Sequence, residues 1–423
     1  MEACPVSDER RFTIVVAAST VPAGADDTVP RFVLDQAIAM AAIDHRIAIH
    51  ILAPHCPASH GKAWPQTETD DGRVTQHRFR YAWRRWEVLT DHGIMPAIAE
   101  RPARAMLVPA LMVAQFFALW ILVRTVRPDV IYAHWFTPQA LVARAVSRVT
   151  RTPFGFTTHA SDIVVWRRFG AMGRHLVRST TQRASFVSAV SSQTAQKLTA
   201  FFDGDAREEL LRRMKLIPMG VDVTHHELDS GDRHHVAIIA RLVPKKGIDV
   251  LLEAWPRVLD RIPNARLTIA GDGPLRSSIA QAALALGPSV AVLGYVAGAA
   301  KDRVLADAGV VVQPSVIAAD GDSDGLPVGL LEGIAAGRIA VASDASGAQD
   351  LLTNGVNGYV VPAGDPQALA HALVLAMNLD GERRNHLLSA ARQVAARVAW
   401  PHVAAEHVAM IKNDLPATPR AGA

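Results

Sequence analysis

Two carboxylates stand eight positions apart within the segment 320–332, in a setting that suits a phosphate-bearing ligand. Asp324 and Glu332 lie between a strand-like apolar run, 310–314, and a helix-like run, 330–336. Small and turn-forming residues surround the first acid, so backbone amides can approach a ligand closely where a helix begins. We therefore expect these amides to meet phosphate oxygens and the two carboxylates to hold hydroxyl groups of the same ligand.

The same segment also resembles two kinds of metal site. In a calcium-binding loop an acid at position twelve completes the ligand set, but Leu331 occupies that position and Glu332 follows one residue too late. An Asp-x-Asp magnesium site would belong to a metal-dependent transferase with a single nucleotide-binding domain. The residues at calcium-loop positions one, three, five and six are Asp320, Asp322, Asp324 and Gly325.

Two cations that follow another predicted strand could supply the positive charge that a metal would bring. Arg241 and Lys246 come after the strand His235–Ile239. Arginine presents a fixed fork of donors and lysine a mobile point charge, a pairing that suits a diphosphate. Surface charge at a loop is the alternative. We expect no metal and no other cofactor.

The turn 270–275 resembles a dinucleotide fingerprint but has Arg276 for the third glycine, so it predicts only a tight strand-to-helix turn.

Two histidines follow strands in the first half of the chain. His134 comes after the predicted strand 130–133 and His159 after the strand 154–158, with Asp162 three residues further on. Because carboxyl ends of parallel strands meet at one edge of a sheet, both rings should face the same cleft. A lone histidine is usually structural, and for His134 the two interpretations stay open; for His159 we favour a functional role.

Length and composition predict a two-domain globular protein. The chain has 423 residues, half of them hydrophobic and 20% charged, which is too long for one ordinary core. Its two cysteines, Cys4 and Cys56, give no disulfide framework, so a reducing compartment is expected. The apolar run 12–18 is short and favours a first strand over a secretory signal.

The net charge of +4 is unevenly distributed. Residues 1–223 hold 27 basic and 20 acidic side chains, and residues 224–423 hold 17 and 20. A basic, aromatic stretch could meet anionic lipid headgroups or nucleic acid, or be a solvated loop. It comprises Arg73, Arg78, Arg80, Arg84, Arg85, Arg101 and Arg104 with Phe79, Tyr81, Trp83 and Trp86.

One uncharged run, Met106 to Val123, is 18 residues long and close to the lower limit for a membrane span. Pro109 and Gln115 interrupt it, and Arg104 and Arg124 flank it. We favour a buried or interfacial helix over a true span.

Short apolar runs alternate with longer helical ones along the chain, which predicts α/β domains with parallel sheets. We expect two doubly wound, Rossmann-like domains facing each other across a cleft, at residues 1–223 and 224–390. Residues 224–233 should form a linker. The run 391–412 should be a C-terminal helix, for which packing back on the first domain is one arrangement. Beyond those named above, strands are predicted at 12–17, 46–52, 186–190, 215–217, 265–270, 290–293, 310–313 and 339–342.

Four motifs of the second half resemble, in order and spacing, the retaining GT-B glycosyltransferases of the glycogen-synthase-like group 1 family. They are Ile239-Ala-Arg-Leu-Val-Pro-Lys-Lys-Gly247, Ile269-Ala-Gly-Asp-Gly-Pro-Leu275, the acidic stretch from Asp324 to Glu332, and Asn354-Gly-Val-Asn-Gly358. The segments 29–36 and 44–49 resemble the colanic-acid and exopolysaccharide branch. The resemblance covers nearly the whole chain and implies the GT-B architecture.

By that resemblance, Arg241 and Lys246 would bind the donor diphosphate and Glu332 the ribose hydroxyls. Asp324 stands where the family has its first glutamate, near the donor sugar, and His159 would contact the sugar or the acceptor. The candidate catalytic residues are thus His159, Arg241, Lys246 and Asp324. The donor site would add the backbone of Gly325, Leu326, Pro327 and Val328, and the acceptor side would comprise His134, His159 and Asp162.

The resemblance implies a metal-independent retaining glycosyltransferase, in particular a hexosyltransferase, that takes a nucleotide-sugar donor. The acceptor would be a saccharide or polyprenyl-linked saccharide in cell-surface polysaccharide synthesis. The protein would be cytoplasmic, with an anionic membrane surface as a further partner at the inner face of the membrane, and no nucleic acid. A nucleotide-sugar epimerase of the same fold and a non-catalytic nucleotide-sugar-binding scaffold are the alternatives.

Overall fold

The computed structural model describes residues 11–24, 27, 29–90, 93–159, 161–223, 231–319 and 321–415. Most of the predicted linker, and Asp320, lie outside the described residues.

The first sheet has eight strands in the order β3-β4-β2-β1-β5-β6-β7-β8. All neighbours pair in parallel except β3 with β4. Valine, isoleucine and alanine fill the central strands because helices cover both faces of a parallel sheet. The strands are β1 Phe12–Ala17, β2 Ile47–Pro54, β3 Gln66–Thr67, β4 Val74–Phe79, β5 Val130–His134, β6 Phe154–Thr158, β7 Val187–Ala189 and β8 Lys215–Leu216. The helices are α1 Phe32–Ile43, α2 Ile94–Glu100, α3 Val108–Val126, α4 Leu141–Thr150, α5 Ser161–Val164, α6 Gly170–Arg183, α7 Ser192–Thr199 and α8 Gly204–Arg213.

The second sheet is fully parallel, with the order β11-β10-β9-β12-β13-β14. Its strands are β9 Asp232–Ile239, β10 Arg266–Ala270, β11 Val290–Gly294, β12 Ala308–Gln313, β13 Ile339–Ser343 and β14 Tyr359–Val361. Its helices, with the C-terminal pair, are α9 Ile248–Leu259, α10 Arg276–Ala285, α11 Gly298–Asp307, α12 Val328–Ala335, α13 Pro366–Met377, α14 Gly381–Val398 and α15 Trp400–Asp414. The predicted fold of two doubly wound α/β domains is confirmed.

The end of the chain returns to the first domain through two helices rather than one. The break falls at Ala399, where Val221 inserts: its amide donates to the Val398 carbonyl (2.9 Å), and its carbonyl accepts from the Trp400 amide (3.1 Å). Helix α15 then packs on α1 and buries its apolar side chains in the core of the first sheet. An ion pair between Lys412 and Asp44 (3.1 Å) adds to this contact.

Strand β4 was not predicted, and it changes the role of two arginines assigned to the basic surface. Arg78 lies in β4, and its guanidinium donates to the carbonyls of Pro54 (2.8 Å) and Val21 (2.5 Å). Arg73, which precedes the strand, donates to the carbonyl of Asp44 (3.2 Å). These side chains link β4 to neighbouring segments of the chain because they donate to backbone carbonyls there.

The uncharged run 106–123 forms most of α3, and this helix carries apolar side chains on two opposite faces. Leu111 and Leu119 are buried against the core, whereas Phe117 and Ile121 on the opposite face are 52% and 57% exposed. By length and composition alone, 102–126 is the one helical stretch of the described chain that could cross a bilayer. The helix packs on the first domain with one face and leaves the opposite face exposed.

Candidate active site

A buried ion pair lies at the carboxyl end of the second sheet. Asp324 is 6% exposed, and its carboxylate accepts from Lys246 Nζ (2.7 Å) and Ser315 Oγ (2.7 Å). The neighbouring Lys245 pairs with Asp322 (2.9 Å) and lies 3.9 Å from Asp324. Burial opposes ionisation of Asp324, but Lys246 and Lys245 outweigh it and hold the pKa of this carboxyl below its usual value. The carboxylate is therefore charged and bound to the cation predicted to hold phosphate.

A glycine explains why Lys246 reaches Asp324. The turn Pro244–Lys246 ends at Gly247, whose φ of 61° is left-handed. A Cβ at this position would lie 1.9 Å from the carbonyl oxygen of Pro314, just beyond β12. Only glycine allows so close an approach, and it brings the loop after β9 against the loop after β12.

The second predicted carboxylate also has its own lysine. Glu332, on α12, accepts from Lys301 Nζ on α11 at 2.5 Å. Both side chains are partly exposed, so a ligand can reach the pair. Helix α12 begins at Val328 after Pro327, without a side-chain cap, and the preceding Gly325 and Leu326 are buried.

Arg241 follows β9 and extends the cationic region toward the first domain. Burial lowers the pKa of its guanidinium, and the charge of Glu100 on α2 opposes that shift. Arg241 therefore lies within electrostatic reach of the first domain.

The two predicted histidines meet in the first domain. Nδ1 of His134 lies 3.4 Å from Nε2 of His159, and the rings of Phe32 and Trp135 pack around His159 at 5.5 and 5.1 Å. Burial lowers the pKa of His159 to about 3 and that of His134 well below its usual value. Both rings are therefore neutral near pH 7, so His159 can donate or accept a hydrogen bond but does not carry a charge.

Asp162 faces inward rather than into the cleft. Its carboxylate accepts from the amides of Phe136 (2.5 Å) and His159 (3.1 Å) and from Thr158 Oγ1 (3.1 Å). In this structure the carboxylate holds the loops that carry the histidines, and Asp162 is only 8% exposed.

The two domains touch where the turn around Gly325 meets the loop that follows β6 and carries His159. A Cβ on Gly325 would lie 2.7 Å from the carbonyl oxygen of His159, so the two candidate segments are adjacent. Lys197 on α7 donates to Ser323 Oγ (2.6 Å), and Asp350 accepts from the Ser192 amide at the start of the same helix (2.5 Å). These contacts bring the predicted donor and acceptor residues to one cleft.

Four polar residues of this site were missing from the sequence prediction. Ser315 binds Asp324, and Lys301 binds Glu332. Lys197 binds Ser323, and Lys245 pairs with Asp322. Lys245 lies inside the motif 239–247, which assigned it no role, and Ser315 lies two residues after β12; no motif marks the other two. Among the described residues, which exclude Asp320, no three His, Cys, Asp or Glu side chains group as a metal site.

Two family models match this chain. The model described as Glycosyltransferase Family 4 matches residues 29–225, and the model described as Glycosyl transferases group 1 matches residues 233–378. Residues 233–378 therefore form a group 1 glycosyltransferase domain, and residues 29–225 form a Family 4 glycosyltransferase domain. The range 29–225 holds every strand of the first sheet except β1, and the range 233–378 holds the second sheet apart from the first residue of β9. Each range contributes residues to the cleft.

Curated relatives match parts of this chain. The amylovoran biosynthesis glycosyltransferase AmsK of Erwinia amylovora is 33% identical over 169 residues, 38% of this chain and 41% of AmsK. A GDP-mannose-dependent alpha-(1-6)-phosphatidylinositol monomannoside mannosyltransferase of Mycobacterium tuberculosis is 28% identical over 300 residues, 66% of this chain and 75% of the relative. The chain spans less than half the length of AmsK and of several other curated relatives that it matches.

Solved structures confirm the GT-B architecture. Anabaena HepE in complex with UDP and glucose superposes with a TM-score of 0.66 at 18% identity, covering 95% of this chain and 100% of HepE. The sucrose-phosphate synthase of Thermosynechococcus elongatus gives a TM-score of 0.68 at 18% identity, covering 95% of this chain and 99% of that one. At this identity the likeness concerns the fold.

The buried histidines predict a loss of stability on acidification. His407 on α15 lies 3.3 Å from the Tyr132 hydroxyl, and burial lowers its pKa to about 3, as for His159. Below pH 6.5 the unfolded chain binds protons that the folded rings do not, so each such histidine costs about 1.4 kcal/mol per pH unit. We expect the Tm to fall between pH 7 and pH 5, and to fall less for His407→Gln.

His402→Gln provides the control, because His402 is an exposed residue on the same helix. Thermal unfolding at both pH values should show this variant following the unmodified chain. An equal loss of Tm in His407→Gln and the unmodified chain would contradict the assignment.

Proposed function

We propose that this protein transfers a sugar from a nucleotide-diphosphate donor to a hydroxyl of a saccharide or lipid-linked saccharide, with retention of configuration and without a metal. The observation that carries this proposal is the cluster of Lys246, Asp324 and Ser315 at the carboxyl end of the second sheet. It lies beside the segment of Gly325, which touches the His159 loop of the other domain.

The ion pair supports a role for Lys246 in phosphate binding. A lysine ammonium has three donor hydrogens, so Lys246 can keep its bond to Asp324 and still donate to a phosphate oxygen. Asp324 would then orient the ammonium group, a role for which the shorter arm of aspartate is long enough. Arg241 would add a second cation when the diphosphate departs and negative charge builds on its outer phosphate.

The ribose of the donor would bind at Glu332. Hydroxyl groups can donate to the carboxylate oxygens while Lys301 holds the carboxylate in place. The nucleotide would then extend from the cations near β9 toward α11 and α12.

The reaction itself exchanges one bond at the anomeric carbon. The acceptor oxygen attacks from the side of the leaving group, its bond to the anomeric carbon forms as the bond to phosphate oxygen breaks, and its proton passes to that phosphate oxygen. A neutral His159 would hydrogen-bond a sugar or acceptor hydroxyl near this centre, positioned by His134 at 3.4 Å. Asp324 and Glu332 have binding roles only.

The relatives support the acceptor class and the pathway. AmsK is named for amylovoran biosynthesis, and the mycobacterial relative is named for transfer to a phosphatidylinositol mannoside. Both names are compatible with a saccharide or lipid-linked acceptor in the synthesis of a cell-surface polysaccharide or glycolipid.

Lys246→Met should lower kcat by about 10²–10³-fold, because one preorganised donor to the leaving phosphate is lost. Transfer would be measured as release of nucleoside diphosphate, with the donor found by screening UDP-, GDP- and dTDP-sugars. Lys245→Met is the matched control: its partner is Asp322, and we expect a loss below tenfold. If both variants turn over alike, the phosphate role of Lys246 is wrong.

We also propose a cytoplasmic location with docking to anionic lipid at the inner face of the membrane. The exposed face of α3 presents Val113, Phe117, Trp120 and Ile121. Four arginines flank the helix at both ends, a combination typical of interfacial helices. They are Arg101, Arg104, Arg124 and Arg127.

Replacing Phe117 and Ile121 together by serine should abolish co-sedimentation with phosphatidylglycerol-containing vesicles, because the buried apolar area is lost. Leu284→Ser, at an 82% exposed leucine of the second domain, should leave it unchanged. An unmodified chain that stays in the supernatant at both low and high salt would remove the membrane proposal.

A further inference from the structure

A cavity of about 510 Å³ opens in the first domain, outside the residues assigned to the donor and acceptor sites. It lies beside the carboxyl ends of β2 and β4, and its volume is within the range of small-molecule sites, about 300–1,000 Å³. Among the described residues that line it, no side chain is acidic. They are His55, His60, Lys62, Trp64, Arg78, Arg80 and Arg84, with Gly61 and Ala63 between them.

Two of the cations that line the cavity donate to backbone carbonyls of residues that do not line it. Arg78 donates to the carbonyls of Pro54 and Val21, and its guanidinium lies 5.1 Å from the Trp64 ring centre. Lys62 donates to the carbonyl of Ala23. These backbone acceptors fix the cations in place but supply no negative charge.

Acidic groups near the cavity compensate only part of this charge. The buried Glu87 accepts from His60 Nε2 (2.8 Å) and lies 3.4 Å from Arg80 Nε. Asp27 and Glu68 act on Arg78 electrostatically from further away. Arg84 is exposed at the mouth. Four cations, three of them arginines, thus line the cavity, and among the residues that the structure describes one acid, Glu87, is in direct contact with its wall.

The cavity lies on the acceptor side of the proposed reaction. Val21 and Ala23, whose carbonyls accept from Arg78 and Lys62, belong to the loop 18–24. This loop follows β1, the strand that lies between β2 and β5 in the sheet. Strand β4 is three places from β5 in the sheet, a separation of about 14 Å at the usual spacing. One elongated acceptor could therefore reach both the cavity and the histidines.

We propose that this cavity binds the phosphate group of a phosphorylated acceptor, either a sugar phosphate or a lipid-linked phosphate. Arginine forks and a lysine ammonium match phosphate oxygens, and the volume leaves room for a group beyond the phosphate itself. That the ligand is an acceptor rests on the proposed glycosyltransferase function; that it is a phosphate rests on the cavity alone.

Two probes distinguish the sources of the phosphate, namely glucose 1-phosphate and citronellyl phosphate, a short prenyl phosphate. We expect calorimetric titration of the full chain to show binding of at least one of them and no binding of glucose. Tighter binding of glucose 1-phosphate indicates a sugar phosphate, and tighter binding of citronellyl phosphate indicates a lipid-linked one. Failure of both probes to bind would overturn the proposal.

Arg84→Gln and Arg80→Gln should each weaken probe binding at least tenfold. Arg85→Gln is the control, since it removes the same charge one position away, where the guanidinium lies over Trp83 and Trp86. Binding that is equal in all three variants would contradict the assignment. Lys246→Met should keep probe binding, which excludes the donor site as the source of the signal.

The same samples separate this proposal from the proposed function. Each is also titrated with UDP, GDP and dTDP. If no nucleoside diphosphate binds while the probes still depend on Arg84, the donor site is wrong and the phosphate cavity stands. If a nucleoside diphosphate binds but the probes do not depend on Arg80 or Arg84, only the cavity is wrong.

Discussion

The ion pair between Lys246 and Asp324 is the contact on which the candidate site depends. Burying either charge alone would cost several kcal/mol, so each requires the other. The pair joins the loops that leave β9 and β12, two neighbouring strands, and Gly247 allows these loops to come close enough for the bond to form. The turn held by Asp324 then meets the histidine loop of the first domain. The relative placement of donor and acceptor residues thus follows from one buried carboxylate.

The charges of the molecule are divided in a way that suits transfer from a diphosphate. Each carboxylate of the donor side has a lysine of its own, Lys246 for Asp324 and Lys301 for Glu332, which fixes the direction of both side chains. The histidines opposite are neutral because they are buried, so they add polarity without competing for phosphate. Cations gather again in the cavity beside β2 and β4, at the other end of the region where an acceptor would lie.

Much of the fold could be predicted because most strands of a buried parallel sheet contain an apolar run, and the sequence predicts eleven of the fourteen described strands; it misses β3, β4 and β14. In β4 the apolar residues are Val74 and Phe79, and the polar residues 75–78 lie between them. Sequence alone therefore assigned part of this strand to a basic surface. The break between α14 and α15 at Ala399 depends on hydrogen bonds to Val221, which no local sequence pattern predicts. In the site, residues at strand ends were predictable from parallel-sheet geometry. Lys197 and Lys301 pair with residues of other elements, so no local sequence pattern predicts these contacts. The inward direction of Asp162 depends on hydrogen bonds from backbone amides, which the sequence does not show either.

The central claim is that Asp324 orients Lys246 for a donor diphosphate without a metal. It is tested most directly by ligand-induced shifts in Tm with UDP, GDP and dTDP in the presence of EDTA, for the unmodified chain and for Asp324→Asn. A ligand at 100 times its Kd should stabilise the folded chain by about 2.7 kcal/mol. We predict that one nucleoside diphosphate raises the Tm of the unmodified chain in EDTA and that Asp324→Asn loses most of this shift relative to its own Tm. A shift that appears only when a divalent metal is added, or one that Asp324→Asn retains in full, would contradict the account.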